Sequence, residues 1–120
     1  MYEYGKGVKK DYKEARKWYE LSAKQGNLYS RNKLGSFYYH GRSVPRDYNE
    51  ALKLYRLSAK QGYYYAQYNL GYMYHYGIGV KKDYKEAVKF YRQSAEQGFN
   101  DAKVRLDYIC KKSPSFCKSN

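Results

Sequence analysis

The sequence lacks several features that would point to a membrane protein, a metalloprotein or an enzyme. It has no apolar run long enough to cross a bilayer, which argues against a transmembrane segment. Its two cysteines and two histidines are too scattered along the chain to match the ligand spacing of a zinc site. It contains no nucleophile elbow, no HExxH motif and no phosphate-binding glycine loop. The sequence therefore predicts no catalytic activity, no cofactor and no metal.

Acidic residues are scarce beside basic ones, with 11 Asp and Glu against 24 Lys and Arg and a formal net charge of +13. This excess can attract nucleic acid, anionic lipid or an acidic protein. Because the basic residues are spread through the chain and form no separate tail, we interpret most of them as covering solvated helix faces. Tryptophan is also scarce, whereas 19 tyrosines offer rings that can pack while keeping a polar tip at the surface.

One short motif returns at a constant interval. SAKQG occupies residues 22–26 and 58–62, and SAEQG occupies residues 94–98, so the period is 36 residues. An aspartate opens each segment at an N-cap position, and a glutamate follows three residues later with the spacing of a capping box. These pairs are Asp11 and Glu14, Asp47 and Glu50, and Asp83 and Glu86. Apolar residues spaced by three and four lie between the aspartate and the closing glycine, so each segment is predicted to be an amphipathic helix.

A second helix is predicted before each complete copy of this segment, at residues 28–40 and 64–76. Both contain an interior glycine, Gly35 or Gly71, next to a leucine. Glycine inside a helix costs about 1 kcal/mol relative to alanine, so its recurrence indicates that another helix approaches closely there. The connecting turns repeat as well, except that Ser43 replaces a recurring glycine, which predicts strain in that turn.

A 36-residue helix–turn–helix unit with LG, GV, D, EA, SA and QG at these spacings resembles the Sel-1-like repeat. This is an α-solenoid family related to tetratricopeptide repeats, whose units are shorter and lack the GxGV turn. The resemblance covers about residues 1–110 and implies an all-α, right-handed solenoid of stacked antiparallel helix pairs. We expect an array over residues 1–112, made of a partial repeat at 1–26, full repeats at 27–62 and 63–98 and a capping helix at 99–112, followed by a tail at 113–120.

The two ends of the chain depart from the repeat. Met1–Tyr2 aligns with Met73–Tyr74, so we expect the sequence to begin inside a helix, with further repeats upstream in the natural protein. Near the other end, Asp107 replaces the interior glycine, as expected for a terminal helix that no partner helix approaches. One face of the first predicted helix is left uncovered, which predicts a weak spot and a route to oligomers in a protein otherwise expected to be monomeric.

Cys110 and Cys117 lie close to the end of the chain, seven positions apart. They could close a small disulfide loop in an oxidising compartment, or they could remain free thiols, and the spacing alone leaves both states open. The compartment stays open too, although the resemblance slightly favours export because bacterial relatives are often exported.

The resemblance implies a non-catalytic scaffold or adaptor for protein–protein interaction. In this family the helices that match residues 28–40 and 64–76 line the concave side of the solenoid, where a partner is recognised. A stripe rich in tyrosine and basic side chains predicts an acidic peptide or protein as that partner. The residues predicted to contact it are Arg31, Asn32, Ser36, Tyr39, Tyr64, Gln67, Tyr68, Tyr72, His75 and Tyr108.

Two other functions are weighed against this one. Some relatives neighbour toxic effectors as immunity proteins, so the chain could bind and neutralise one effector. Lys9–Lys10, Arg46 and Lys81–Lys82 precede predicted helices and could form basic ridges that bind nucleic acid. Lysines that flank helix caps usually lie in water, however, so a protein partner is preferred to nucleic acid.

Overall fold

The structure, a computed structural model, describes residues 11–118. Six α-helices of 13 residues each make up most of this part, which contains no strand. They are α1 (Tyr12–Lys24), α2 (Leu28–His40), α3 (Tyr48–Lys60), α4 (Tyr64–Tyr76), α5 (Tyr84–Glu96) and α6 (Asn100–Lys112), with a 3-10 turn at Pro114–Cys117. The predicted all-α class is confirmed. The expectations for Met1–Tyr2 and Lys9–Lys10 lie outside the described residues.

The helices stack as consecutive antiparallel pairs. Each one packs against its neighbours along the chain, and the array measures 48 × 29 × 27 Å. No helix in the described part is both long enough and apolar enough to span a membrane. The molecule is therefore a short, elongated stack in which each pair of helices covers the pair beside it.

The predicted N-caps are present at the start of α1, α3 and α5. The carboxylate of Asp11 accepts a hydrogen bond from the Glu14 backbone amide at 2.9 Å, and the same bond recurs at 3.1 Å in α3 and α5. The closing glycines also behave as expected, since Gly26, Gly62 and Gly98 all have positive φ angles. Local chemistry therefore decides where these helices begin and end.

The SAKQG motif also connects one repeat to the next, a role that we had not predicted from the sequence. The hydroxyl of Ser58 donates to the carbonyl oxygen of Leu28 at 2.7 Å, and the Gln61 amide donates to that of Gly26, also at 2.7 Å. One repeat later, Ser94 bonds to Tyr64 and Gln97 to Gly62 in the same way. The glutamine of the motif thus bonds to the preceding repeat, and its serine ties together the two helices of one repeat, so the motif satisfies backbone groups at each junction.

The interior glycines lie where aromatic rings press against the backbone. A Cβ atom built on Gly35 would lie 2.8 Å from the ring of Tyr55, and one on Gly71 would lie 2.6 Å from the ring of Tyr91. Both rings belong to the following helix and are almost completely buried. The close approach predicted from the repeated glycines is therefore confirmed. The predicted strain at Ser43 is seen as well, since its φ angle is 58°.

A disulfide between Cys110 and Cys117 ties the 3-10 turn to α6, which resolves the alternatives left open by the sequence. Cys117 packs against the core cluster formed by α5 and α6, and its carbonyl oxygen accepts a hydrogen bond from Arg92 at 3.1 Å. Phe116 adds an edge-on contact with the Tyr84 ring. The turn thus covers apolar surface at the end of the stack.

The opposite end of the described array exposes apolar side chains. On α1, Trp18 and Leu21 are 61% and 62% exposed, whereas Leu54, one repeat after Trp18, is 8% exposed. Leu54 is buried because it packs on Ala23 of the preceding repeat and on Leu34 of α2. The uncovered face predicted for the first helix is therefore present among the described residues.

Candidate partner-binding groove

A groove of about 490 Å³ runs between α2 and α4 and is lined by eight tyrosines. We call it the tyrosine groove. Its lining residues are Tyr29, Asn32, Lys33, Ser36, Tyr39, His40, Tyr55, Tyr63, Tyr64, Tyr65, Tyr68, Asn69 and Tyr72. No aspartate or glutamate is among them. The groove therefore combines aromatic surface with polar groups and carries no negative charge of its own.

The aromatic wall is held together by contacts between its own rings. The Tyr68 ring centroid lies 6.3 Å from that of Tyr72 and 6.3 Å from that of Tyr65. Tyr68 also packs edge-on against Phe99, at 5.3 Å. Because each ring limits the rotation of the next, the wall presents its hydroxyl groups in fixed positions. A partner would lose little side-chain entropy from the groove on binding.

Two hydrogen-bonded pairs form the polar floor. The Asn69 amide donates to the Asn32 side-chain oxygen at 2.9 Å, and the Ser36 and Tyr55 hydroxyls lie 3.1 Å apart. Burial raises the pKa of Tyr55 well above its ordinary value and also raises that of Tyr39. Both phenols therefore stay neutral and can donate hydrogen bonds at physiological pH.

The only permanent charge in the lining of the groove is positive. Lys33 belongs to α2, and its ammonium group lies 5.9 Å from the centre of the Tyr29 ring. His40 lies at the end of the same helix, and its pKa is lowered by burial and by the nearby Arg42. A negatively charged ligand would cover Lys33 at the lowest electrostatic cost, because its charge opposes that of the ammonium group.

The structure brings together most of the residues predicted to contact a partner. Those that line the tyrosine groove are Asn32, Ser36, Tyr39, Tyr64, Tyr68 and Tyr72. Tyr108 lies in an adjoining concavity with Tyr76, Val104 and Arg105, and this concavity shares Tyr68 with the groove. Arg105 is already engaged there, since it donates to the Tyr76 hydroxyl at 2.7 Å and lies over the Tyr72 ring.

Arg31, Gln67 and His75 do not line the tyrosine groove. Arg31 donates to the Ala23 carbonyl oxygen, and Gln67 donates to the carbonyl oxygen of Ala59 one repeat later. Both side chains therefore bridge to the preceding helix. His75 is 2% exposed. Helical periodicity predicted that these three residues lie beside the groove. Periodicity does not reveal that a long side chain turns towards the neighbouring helix. We therefore leave the three out of the proposed surface.

Several groove residues were missed from the sequence. Tyr63 is the N-cap of α4, and Tyr29 and Tyr65 lie in the first turns of α2 and α4. The run of three consecutive tyrosines at 63–65 was a usable signal. Tyr55 belongs to α3 and reaches the groove only because its ring passes over Gly35. No pattern within a single helix predicts that crossing.

His75 is a buried neutral histidine with a testable effect on stability. Its Nδ1 atom lies 3.0 Å from the Tyr91 hydroxyl, and its ring stacks on that of Tyr76. Burial lowers its pKa to about 4, and the positive charges of Arg105, Lys82 and Lys112 act in the same direction. The folded protein therefore disfavours the imidazolium form.

The free energy of unfolding is expected to fall as the pH drops from 6.5 towards 4, because His75 takes up a proton in the unfolded chain before it does so in the folded one. Chemical denaturation of the wild type and of His75→Gln across this range measures the effect. We expect a shallower loss of stability in the variant. His40→Gln is the comparison: the pKa of His40 is lowered too, but His40 is exposed, so we expect this variant to flatten the profile less than His75→Gln does. Identical pH profiles for the wild type and His75→Gln would contradict the assignment.

Comparison with known proteins supports the interpretation of the repeats. A model of the Sel1 repeat family matches residues 1–27, 28–63 and 65–99. A Sel1 repeat protein from Oxalobacter formigenes has a similar solved structure, with 41% identity, 91% of this chain and 44% of that chain covered, and a TM-score of 0.84. A protective antigen of uropathogenic Escherichia coli with an SLR fold matches with 43% identity, 92% and 24% coverage, and a TM-score of 0.82.

Cysteine-rich protein B of Helicobacter pylori is a further structural neighbour, with 25% identity, 80% and 72% coverage, and a TM-score of 0.75. The comparison with curated proteins found no match. The chain spans less than half the length of the O. formigenes and E. coli structures. Its neighbours are α-solenoids of helix pairs, and Sel1 repeats generally act as protein–protein interaction scaffolds. With family-model matches along most of its length and the stacked helix pairs described above, the chain belongs to the Sel1 repeat family.

Proposed function

We propose that this chain is a non-catalytic scaffold whose tyrosine groove binds an acidic segment of a partner protein. The observation that carries the proposal is the composition of the groove, where eight tyrosines surround a polar floor and no acidic side chain takes part. Tyrosine is among the residues that contribute most to binding at protein interfaces. The function thus follows from the site as well as from the family.

The packing of the groove supports tight docking with little rearrangement. Tyr64 and Tyr72 are half-buried, so their rings are supported from one side while the other side faces the groove. Tyr64 contacts Phe99, and Tyr72 contacts Tyr76. A groove that is already ordered before binding avoids part of the entropic cost of association.

The charge of the protein supports an acidic partner. Lys33 is the fixed charge in the groove, and the whole chain carries a formal net charge of +13. A long-range positive potential raises the rate of encounter with an acidic surface, and complementary charge at the site selects against basic partners. Binding should therefore weaken as salt is added.

The double substitution Tyr64→Ala/Tyr72→Ala is expected to weaken binding of a partner about tenfold or more, because it removes two supported rings from the groove. Proteins captured by the immobilised wild type would be identified by mass spectrometry, purified, and titrated calorimetrically against each variant. Circular dichroism would verify that the helices remain.

Trp18→Ala is the matched control, since it removes an exposed aromatic ring that lies outside the groove. The partner should bind this variant as it binds the wild type. The groove assignment fails if the double variant keeps wild-type affinity, or if both variants lose affinity equally.

A further inference from the structure

A second concavity, of about 460 Å³, lies between α3 and α5 and shares no lining residue with the tyrosine groove. We call it the outer cleft. It is lined by Arg56, Ala59, Lys60, Gly62, Gln67, Leu70, Lys89, Phe90 and Gln93. Three of these side chains are cations and none is acidic. The groove-binding function proposed above makes no use of this surface.

The cations of the outer cleft are exposed, and one of them is oriented by the protein. Arg56 donates a hydrogen bond to the Tyr74 hydroxyl, and the Tyr74 ring stacks on Phe90 with an interplanar angle of 15°. Lys60 and Lys89 lie on α3 and α5 and are both exposed. Lys89 is also 3.9 Å from the Glu86 carboxylate, which is a weak pairing at an exposed site, and its ammonium group lies 5.0 Å from the centre of the Phe90 ring.

The two lysines of the outer cleft recur in the repeat, since Lys24 and Lys53 occupy their positions one repeat earlier, but its arginine does not. One repeat earlier, Glu20 stands in the place of Arg56 and pairs with Arg16 at 2.8 Å. Leu57 stands in the place of Gln93. Arg31 stands in the place of Gln67 and bonds across that junction to the Gln61 side chain at 3.0 Å. Stacking therefore works with Glu20 in the place of Arg56, so the exchange of an acidic for a basic side chain at the second junction needs another explanation.

We propose that the outer cleft is a second docking surface, which binds a carboxylate-rich segment of a partner protein. The guanidinium group of Arg56 can hold a carboxylate through two parallel hydrogen bonds, and Lys60 and Lys89 add positive charge on both sides. Phe90, which is only partly buried, provides an apolar surface for the aliphatic parts of a peptide. Charge complementarity thus selects an acidic protein segment.

Direct binding of a defined acidic peptide tests the proposal. The probe is a fluorescein-labelled peptide of sequence EELEELEE, titrated with the full chain and followed by fluorescence anisotropy. The variant Lys60→Glu/Lys89→Glu reverses both lysines of the cleft, and we expect it to bind the peptide about tenfold more weakly. Its matched control is Lys24→Glu/Lys53→Glu, which changes the equivalent positions at the first junction and alters the net charge equally. We expect a loss of less than about threefold in the control.

Five results would overturn the inference. An equal loss in both double variants would show a diffuse attraction to a basic protein. Undiminished binding by Lys60→Glu/Lys89→Glu, or no binding by the wild type, would show that the cleft does not hold the peptide. A dependence on Tyr64→Ala/Tyr72→Ala would place the peptide in the tyrosine groove, which would leave the proposed groove function intact. Tighter binding of a twelve-residue uridine oligonucleotide, with the same dependence on Lys60 and Lys89, would assign the cleft to nucleic acid.

Discussion

Gly71→Ala is expected to lower the free energy of unfolding by about 1 kcal/mol. The new methyl group would lie 2.6 Å from the ring of Tyr91, which is completely buried and has no space into which to move. Overpacking of this kind costs about 1–3 kcal/mol, and it exceeds the gain of about 1 kcal/mol that alanine brings to a helix interior. Urea denaturation followed by circular dichroism measures the difference.

Asp107→Ala is the matched control for this substitution. Asp107 occupies the equivalent position of α6 and is exposed, so no ring approaches its backbone. We expect the free energy of unfolding of this variant to differ from that of the wild type by less than about 0.5 kcal/mol. If Gly71→Ala proved as stable as the wild type, glycine at this position would not be needed for the close packing of Tyr91.

Removal of the disulfide by Cys110→Ser/Cys117→Ser is expected to lower the free energy of unfolding by about 2 kcal/mol. The bond closes a short loop and holds the 3-10 turn against the cluster of α5 and α6. Without it, the unfolded chain gains conformational freedom and the turn can leave the apolar surface that it covers. Denaturation of the wild type and of the double variant gives the magnitude.

Hydrogen exchange would locate this effect in the structure. Because a repeat array is stabilised between neighbours, protection should fall most in α6 and least in α2 and α3. Adding a reductant should reproduce the loss in the wild type and leave the double variant unchanged. A uniform loss of protection, or none, would show that the disulfide does not act as a local clamp at this end.

The two substitutions test different parts of the same design. Gly71 lies at a junction between consecutive helices, whereas Cys110 and Cys117 act at the end of the stack, where no further helix packs in the described part. The proposed binding through a preformed groove would need both, because loosening at either place would leave the tyrosines less ordered before binding.

The helices and their ends were predictable from the sequence. Asp47 and Glu50 lie three residues apart and meet within one turn, so their contact depends on local chain geometry alone. Gly35 and Gly71 revealed a close helix contact because glycine in a helix interior is costly unless packing requires it. The two cysteines allowed a disulfide but could not establish one, since pairing depends on how the turn after α6 folds back.

The candidate site was only partly predictable. Asn32, Tyr39 and Tyr72 point into the groove as their helical positions suggested. Arg31 and His75 share that helical face but do not line the groove, because the first reaches a backbone oxygen of the preceding helix and the second is enclosed by aromatic rings. Such choices depend on which neighbour a side chain can reach once the repeats have stacked.

The sequence by itself determined the length of the repeat, the boundaries of the helices and the family, since each of these depends on residues within a few positions of one another or on exact recurrence. Only the tertiary structure decided that Tyr55 reaches the tyrosine groove across Gly35. It also decided that Arg56 faces the outer cleft, whereas Glu20, at the equivalent position one repeat earlier, pairs with Arg16. The physical reason is that a side chain's surroundings come from other helices. A helical period specifies the direction in which a residue leaves its own helix but not what it meets there.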